Sequence, residues 1–204
     1  MKPTKSLLVL AILCAPAVAA AQGYYGGNGG PVPGGFHNRT GRLTFGGSFG
    51  LGGMSDNGSA ITSCSNCNYN PLAIELDGHI GGVVNPRLAL MFEAQLNGQT
   101  IHSDGFNGDT VLYQSAVMFA AQFWVLPQFW IKGGLGFTNL QIDNQQYFTQ
   151  DLGNGLGLMA AAGIEVFSAR NLALEIQGRI IEGTYNGGDD HLTSGTIGFG
   201  INWY

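Results

Sequence analysis

The sequence predicts an all-β chain, an eight-stranded antiparallel up-and-down transmembrane β-barrel, and three observations carry that prediction. The first is the length of its alternating runs. Over residues 110–125, Val111, Tyr113, Ser115, Val117, Phe119, Ala121, Phe123 and Val125 share one parity, against Leu112, Gln114, Ala116, Met118, Ala120, Gln122 and Trp124 on the other. Beyond a proline hinge, Phe129, Ile131, Gly133, Leu135 and Phe137 alternate with Trp130, Lys132, Gly134, Gly136 and Thr138. A period of two marks a strand with two unlike faces. Soluble strands run about 5–6 residues, whereas a tilted strand needs roughly 9–11 to cross a bilayer. The second observation is where the charges sit. Glu75, Asp77, His79, Glu93, Lys132, Glu165, Glu175 and Arg179 all share parity with Gly, Ala, Gln and Thr, and no mid-strand charge falls on the apolar parity. A basic residue facing lipid near the midplane costs roughly 2–4 kcal/mol, and small residues among charged ones suit an eight-stranded interior just wide enough for side chains to fill. A soluble lipocalin-like barrel inverts this arrangement. The third observation is that connections between strands alternate long and short, as in outer-membrane barrels.

The elements follow in order. Lys2 and Lys5 precede a short apolar run and a small-residue cleavage pattern at Ala19 and Ala21, so residues 1–21 read as a secretory signal peptide. The large Leu13 before Cys14 argues against lipidation there. Residues 22–41 lack periodicity and are rich in Gly, Pro and Tyr, the composition of a flexible periplasmic lead-in. The barrel is expected over 42–204, with strands over residues 42–52, 71–84, 88–97, 110–125, 129–140, 155–167, 172–180 and 193–204. The AAAG stretch at 160–163 has helical propensity, but flanking glycines and parity favour strand. Tight turns follow strands two, four and six. The four longer segments, around Asn57, Ser103, Gln145 and Gly187, then face outward and both termini face the periplasm.

Composition narrows the function classes. Without Lys2 and Lys5, six basic residues stand against thirteen acidic ones, so the mature charge is 6 − 13 = −7, which argues against nucleic acid. Lys132 is the only lysine beyond the signal peptide, whereas soluble sheets protect their edges with lysine. Buried charges must be paired and hydrogen-bonded, so a lumen charge network is predicted around Lys132 and Arg179, with carboxylates from neighbouring strands. Cys64 and Cys67 form a lone CxxC in the first outer segment. Without a second pair for zinc or a strand-to-helix context for redox work, a loop disulfide is the expected pairing. Asp189, Asp190 and His191, and His102 with Asp104, are too few to form a metal site alone, so no metal and no cofactor are assigned. His102-Ser103 lacks an acid to orient the histidine, which argues against catalysis. Tyr113, Phe123, Phe129, Trp203 and Tyr204 lie near predicted strand ends and read as an aromatic belt. Trp124 and Trp130 have inward parity, the alternative being that they close the barrel floor.

The signal peptide, eight amphipathic strands, charged inner face and the ending GFGINWY resemble the small outer-membrane β-barrel superfamily of OmpA-type and OmpX-type proteins. The resemblance covers residues 42–204 and is one of pattern more than of fixed residues. The family's lipid-facing terminal Phe is replaced here by Tyr204, on the other parity from Trp203, and the chain stops at the barrel with no peptidoglycan-binding domain. The resemblance implies a bacterial outer-membrane location among lipid and lipopolysaccharide, and insertion by the barrel-assembly machinery through the C-terminal strand. The chain is expected to work as a monomer. The expected function is structural or surface-interactive, with a polar plugged lumen and exposed loops whose extracellular ligand the sequence does not identify. The alternatives are a narrow ion or small-solute pore and, behind it, a lipid-modifying enzyme.

Overall fold

The computed structural model describes residues 36–61, 72–101, 110–144, 148–169 and 171–204. The signal peptide, Cys64, Cys67, His102, Ser103 and Asp104 lie outside them. The strands are β1 (Leu43–Asp56), β2 (Ser59–Ala60), β3 (Ala73–Asn85), β4 (Leu88–Ile101), β5 (Thr110–Trp124), β6 (Phe129–Asn144), β7 (Phe148–Ser168), β8 (Leu172–Tyr185) and β9 (Asp190–Trp203). Each of the eight long strands pairs antiparallel with its neighbour, and β1 pairs with β9 to close the sheet. Closure removes the sheet edges and satisfies the backbone within the sheet, which a lipid environment demands. The small β2 folds back on the tip of β1 through Asn57-Gly58, both at positive φ (47° and 81°), the conformation of a two-residue hairpin turn.

The faces divide as the parity predicts. Phe49, Leu76, Ile80, Phe92, Phe119, Leu135, Ile176 and Phe199 are exposed on the outer surface, while Glu75, Glu93, Lys132, Glu165, Glu175 and Arg179 are buried inside. Leu135 is 64% exposed and lies in one register row with Phe119, Phe92, Ile80 and Phe45. Leu135→Arg is expected to destabilise the bilayer-embedded barrel by on the order of 2 kcal/mol, measured by urea titration in lipid vesicles. A neutral result would mean that this face does not meet lipid.

The strands run further outward than their apolar pattern. Residues 141–154 and 181–192, expected as long loops, are mostly strand, and what connects them is 145–147 and a single 3-10 turn at Asn186–Gly188. The cause is a reversal of polarity with the pairing unbroken. On β6 the outward series ends at Phe137 and passes to Asn139, Gln141 and Asp143, while Leu140 and Ile142 turn inward. Backbone groups stay paired beyond the lipid because unpaired ones lose hydrogen bonds. The apolar face is no longer needed there. Glu165 pairs with Glu175 and Phe167 with Leu174, leaving Val166 as a bulge, so Val166 and Phe167 both face outward.

Two more expectations are corrected. Phe36 and Arg39, inside the stretch read as a flexible lead-in, are buried at the short-turn mouth of the barrel. Their burial follows from specific partners described below. Tyr204 is not a belt residue: its ring lies 3.8 Å beneath the Arg39 guanidinium and 6.4 Å from the Trp124 ring. Trp203 does face outward and stacks on Phe45 at 5.5 Å across the closing seam. Phe123 and Phe129 flank the β5–β6 turn on the outer parity, and Tyr113 packs over Gly98 toward the other end. Trp124 and Trp130 point inward and are almost wholly buried.

Candidate functional site in the barrel lumen

The barrel interior is built in layers of inward residues contributed by several strands. In the central layer the two long cations reach carboxylates on other strands: Arg179 crosses the lumen from β8 to β3, and Lys132 on β6 reaches past β5 to β4. Arg179 Nη1 lies 2.6 Å from Glu75 Oε1, its Nη2 pairs with Asp77, and Nη2 is 3.9 Å from Glu93 Oε2. Lys132 Nζ lies 2.5 Å from Glu93 Oε1. The neighbours in their register row, Ala161 and Thr196, are short enough to leave the long side chains their path. The Thr196 hydroxyl donates to Glu75 Oε2 and Gln95 Nε2 donates to Glu93 Oε2 at 2.9 Å. Glu175 receives Trp130 Nε1 at 3.0 Å and packs against Gly200, where a Cβ would fall 2.8 Å from Glu175 Oε1. His79 contacts Asn202 Oδ1 through Nε2, and its Nδ1 stands 3.6 Å from Asp77 Oδ1.

Six of the eight predicted lumen residues, Glu75, Asp77, His79, Glu93, Lys132 and Arg179, therefore meet in one cluster, while Glu175 bonds Trp130 and is the register partner of Glu165. Glu165 lies toward the short-turn end, where it accepts from Arg39 Nη1 at 3.0 Å and Nη2 at 3.2 Å. Trp124 Nε1 donates to it at 2.8 Å, Ser168 donates through its hydroxyl, and Tyr204 reaches it at 3.5 Å. Arg39 also donates to Ser168 Oγ and Ala169 O, while the Arg87 guanidinium covers the Phe36 ring at 4.4 Å. Residues 36–41 thus strap across the short-turn mouth of the barrel. Burial, with the Glu165 carboxylate beside it, pushes the Tyr204 phenol above its usual range, so it acts as a neutral donor just beyond the end of β9.

Above the central layer, Met54, Ala73, Leu112, Tyr185 and Leu192 form an apolar cluster flanked by Ile61, Leu140, Ile142 and Leu152. Gln99 ties this level together, accepting from Met54 N and donating to Ile61 O, each at 2.8 Å. Asp189 and Asp190 are exposed, and His191 Nδ1 lies 3.6 Å from Glu182 Oε1 in a partly exposed surface pair. Such pairs contribute little. Sequence reasoning missed Arg39 and the donors Trp124, Trp130, Thr196 and Gln95. All but Arg39 lie on the inward parity, which carried the signal.

No known protein-family model matches the chain, and no curated protein matches it in sequence. Among solved structures, Neisserial surface protein A superposes with a TM-score of 0.54 at 12% identity, covering 79% of this chain and 96% of that one. The Ail protein of Yersinia pestis, in complex with the heparin analogue sucrose octasulfate, gives 0.49 at 11% identity, over 80% and 99%. The N-terminal β-barrel domain of Pseudomonas aeruginosa OprF gives 0.40 at 13%, over 81% and 99%. At these identities the likeness is one of fold, and the first carries it: the chain has the fold of the small eight-stranded outer-membrane barrels.

Proposed function

We propose that this outer-membrane barrel is a closed scaffold at the bacterial cell surface, with a structural or surface-interaction role exercised by its extracellular loops. The observation that carries this reading is the continuity of side-chain contacts down the lumen. The strap of Phe36 and Arg39, the Arg179 and Lys132 ion pairs and the Met54–Leu112–Tyr185 cluster lie one above another. An ion crossing the barrel would have to part each of them, and separating the buried pairs exposes uncompensated charge. Outer-membrane lipid and lipopolysaccharide are its surroundings in this proposal. The barrel-assembly machinery inserts it through the C-terminal strand, and it works as a monomer.

Planar-bilayer recording tests the plug. Purified protein is expected to give no discrete conductance steps under an applied voltage, and a reproducible single-channel conductance would replace the plug with the narrow pore. One feature favours that second reading: both amide atoms of Asn97, Gln95 Oε1 and Gln114 Oε1 are buried without hydrogen-bond partners, as groups along a hydrated path would be.

A further inference from the structure

We propose that the lumen holds a divalent transition ion of the zinc class between Asp77, His79 and Glu93. These three offer one ligand atom each within 4.8 Å of one another, and the sheet explains why. Asp77 and His79 are successive inward residues on β3, and their register partners on β4 are Gln95 and Glu93. Two adjacent cross-strand pairs thus present a square block of oxygen and nitrogen donors to the lumen.

Arg179 takes Asp77 Oδ2 and leaves Oδ1 free, while Lys132 takes Glu93 Oε1 and Glu93 Oε2 accepts from the neutral Gln95 amide, a bond that an ion would have to replace. His79 Nδ1 and Asp77 Oδ1 have no hydrogen-bond partner, although the two side chains are only 3% and 1% exposed. A buried imidazole nitrogen that points at a carboxylate without bonding to it points to an unfilled position between them. Their separation is 3.6 Å. Two ligands about 2.1 Å from a tetrahedral zinc stand about 3.4 Å apart, so an ion fits with little movement of either side chain.

Charge supplies an independent argument. Three carboxylates, Glu75, Asp77 and Glu93, stand against the two fixed cations Lys132 and Arg179, which leaves the site net negative. Buried charge is tolerated when it is paired or coordinates a metal. An imidazole among carboxylates favours zinc-class ions over calcium, which takes oxygen ligands. The sequence missed this because the ligands come from two strands, with thirteen residues between His79 and Glu93 forming the turn and strand ends.

The test uses mature protein carrying C64S and C67S, which removes the thiols as competing ligands. It is refolded into detergent with zinc chloride, passed through a desalting column and analysed for metal. The parent is expected to retain about one zinc per folded chain. His79→Gln preserves volume and a donor toward Asn202, and is expected to keep the cold-detergent gel shift of a closed barrel while retaining at least about tenfold less zinc. Zinc should also raise the temperature at which the parent's compact band converts, without moving that of H79Q. A parent that folds and retains no zinc overturns the proposal, as does equal retention by folded H79Q. If H79Q fails to fold, Asp77→Asn is read for the same loss.

Discussion

Arg179→Leu is expected to destabilise the folded barrel by about 3–5 kcal/mol, the usual consequence of leaving buried charge without its partner. The side chain is 3% exposed, its guanidinium bonds Glu75 Oε1 at 2.6 Å and pairs with Asp77, and it stands 3.9 Å from Glu93. Leucine removes all three contacts at once. The carboxylates cannot escape to water, because β3 and β4 are held at both edges by ten or more register pairs. Urea titration of vesicle-folded protein, followed by the cold-detergent mobility shift, measures the loss. Adding Glu75→Gln should recover part of it, since the double variant buries one charge fewer. A loss below about 1 kcal/mol for Arg179→Leu would mean that water, and not the guanidinium, stabilises these carboxylates.

The residues that make this network were legible because a bilayer enforces parity. Every strand crossing lipid must separate its faces, so Glu75, Glu93, Lys132 and Arg179 declared their side of the sheet before any coordinate was known. What parity does not encode is which partner a side chain meets inside the barrel. Glu165 and Glu175 share the inward parity and are register partners, yet Glu165 bonds Arg39 of the strap and Glu175 bonds the Trp130 indole. Strand ends were misplaced for a related reason. The apolar signal stops with the lipid, while pairing continues through Asn139–Asp151-type polar contacts at 3.0 Å. The strap was illegible altogether. Phe36 and Arg39 sit in a Gly- and Pro-rich stretch with no period to read, and their order comes from Glu165, 126 residues away from Arg39 in sequence.

Glu165 is the second position where a large effect is expected, and its consequence differs from that at Arg179. Arg179 lies mid-strand and cannot leave, whereas Arg39 belongs to a strap that precedes β1 and can swing away from the mouth once its partner is lost. Glu165→Leu should therefore undock residues 36–41 while the eight-stranded barrel survives. The lost contacts are the two Arg39 bonds, the Trp124 indole at 2.8 Å and the Ser168 and Tyr204 hydroxyls. A docking loss of about 3 kcal/mol corresponds to an increase of about 100-fold in the undocked population. Hydrogen exchange should show this at the amides of Gly41 and Arg42, which bond Val83 O and Arg39 O, with little change in the middle of β3 to β9. Arg39→Ala should reproduce the undocking, because it removes the same pairs from the other side. Unchanged exchange at Gly41 and Arg42 in both variants would mean that Phe36, under Arg87 and against Val83, holds the strap without the ion pair. The comparison with Arg179 separates two uses of one chemistry: a buried pair between fixed strands sets barrel stability, and a buried pair to a terminal segment sets whether the mouth is covered.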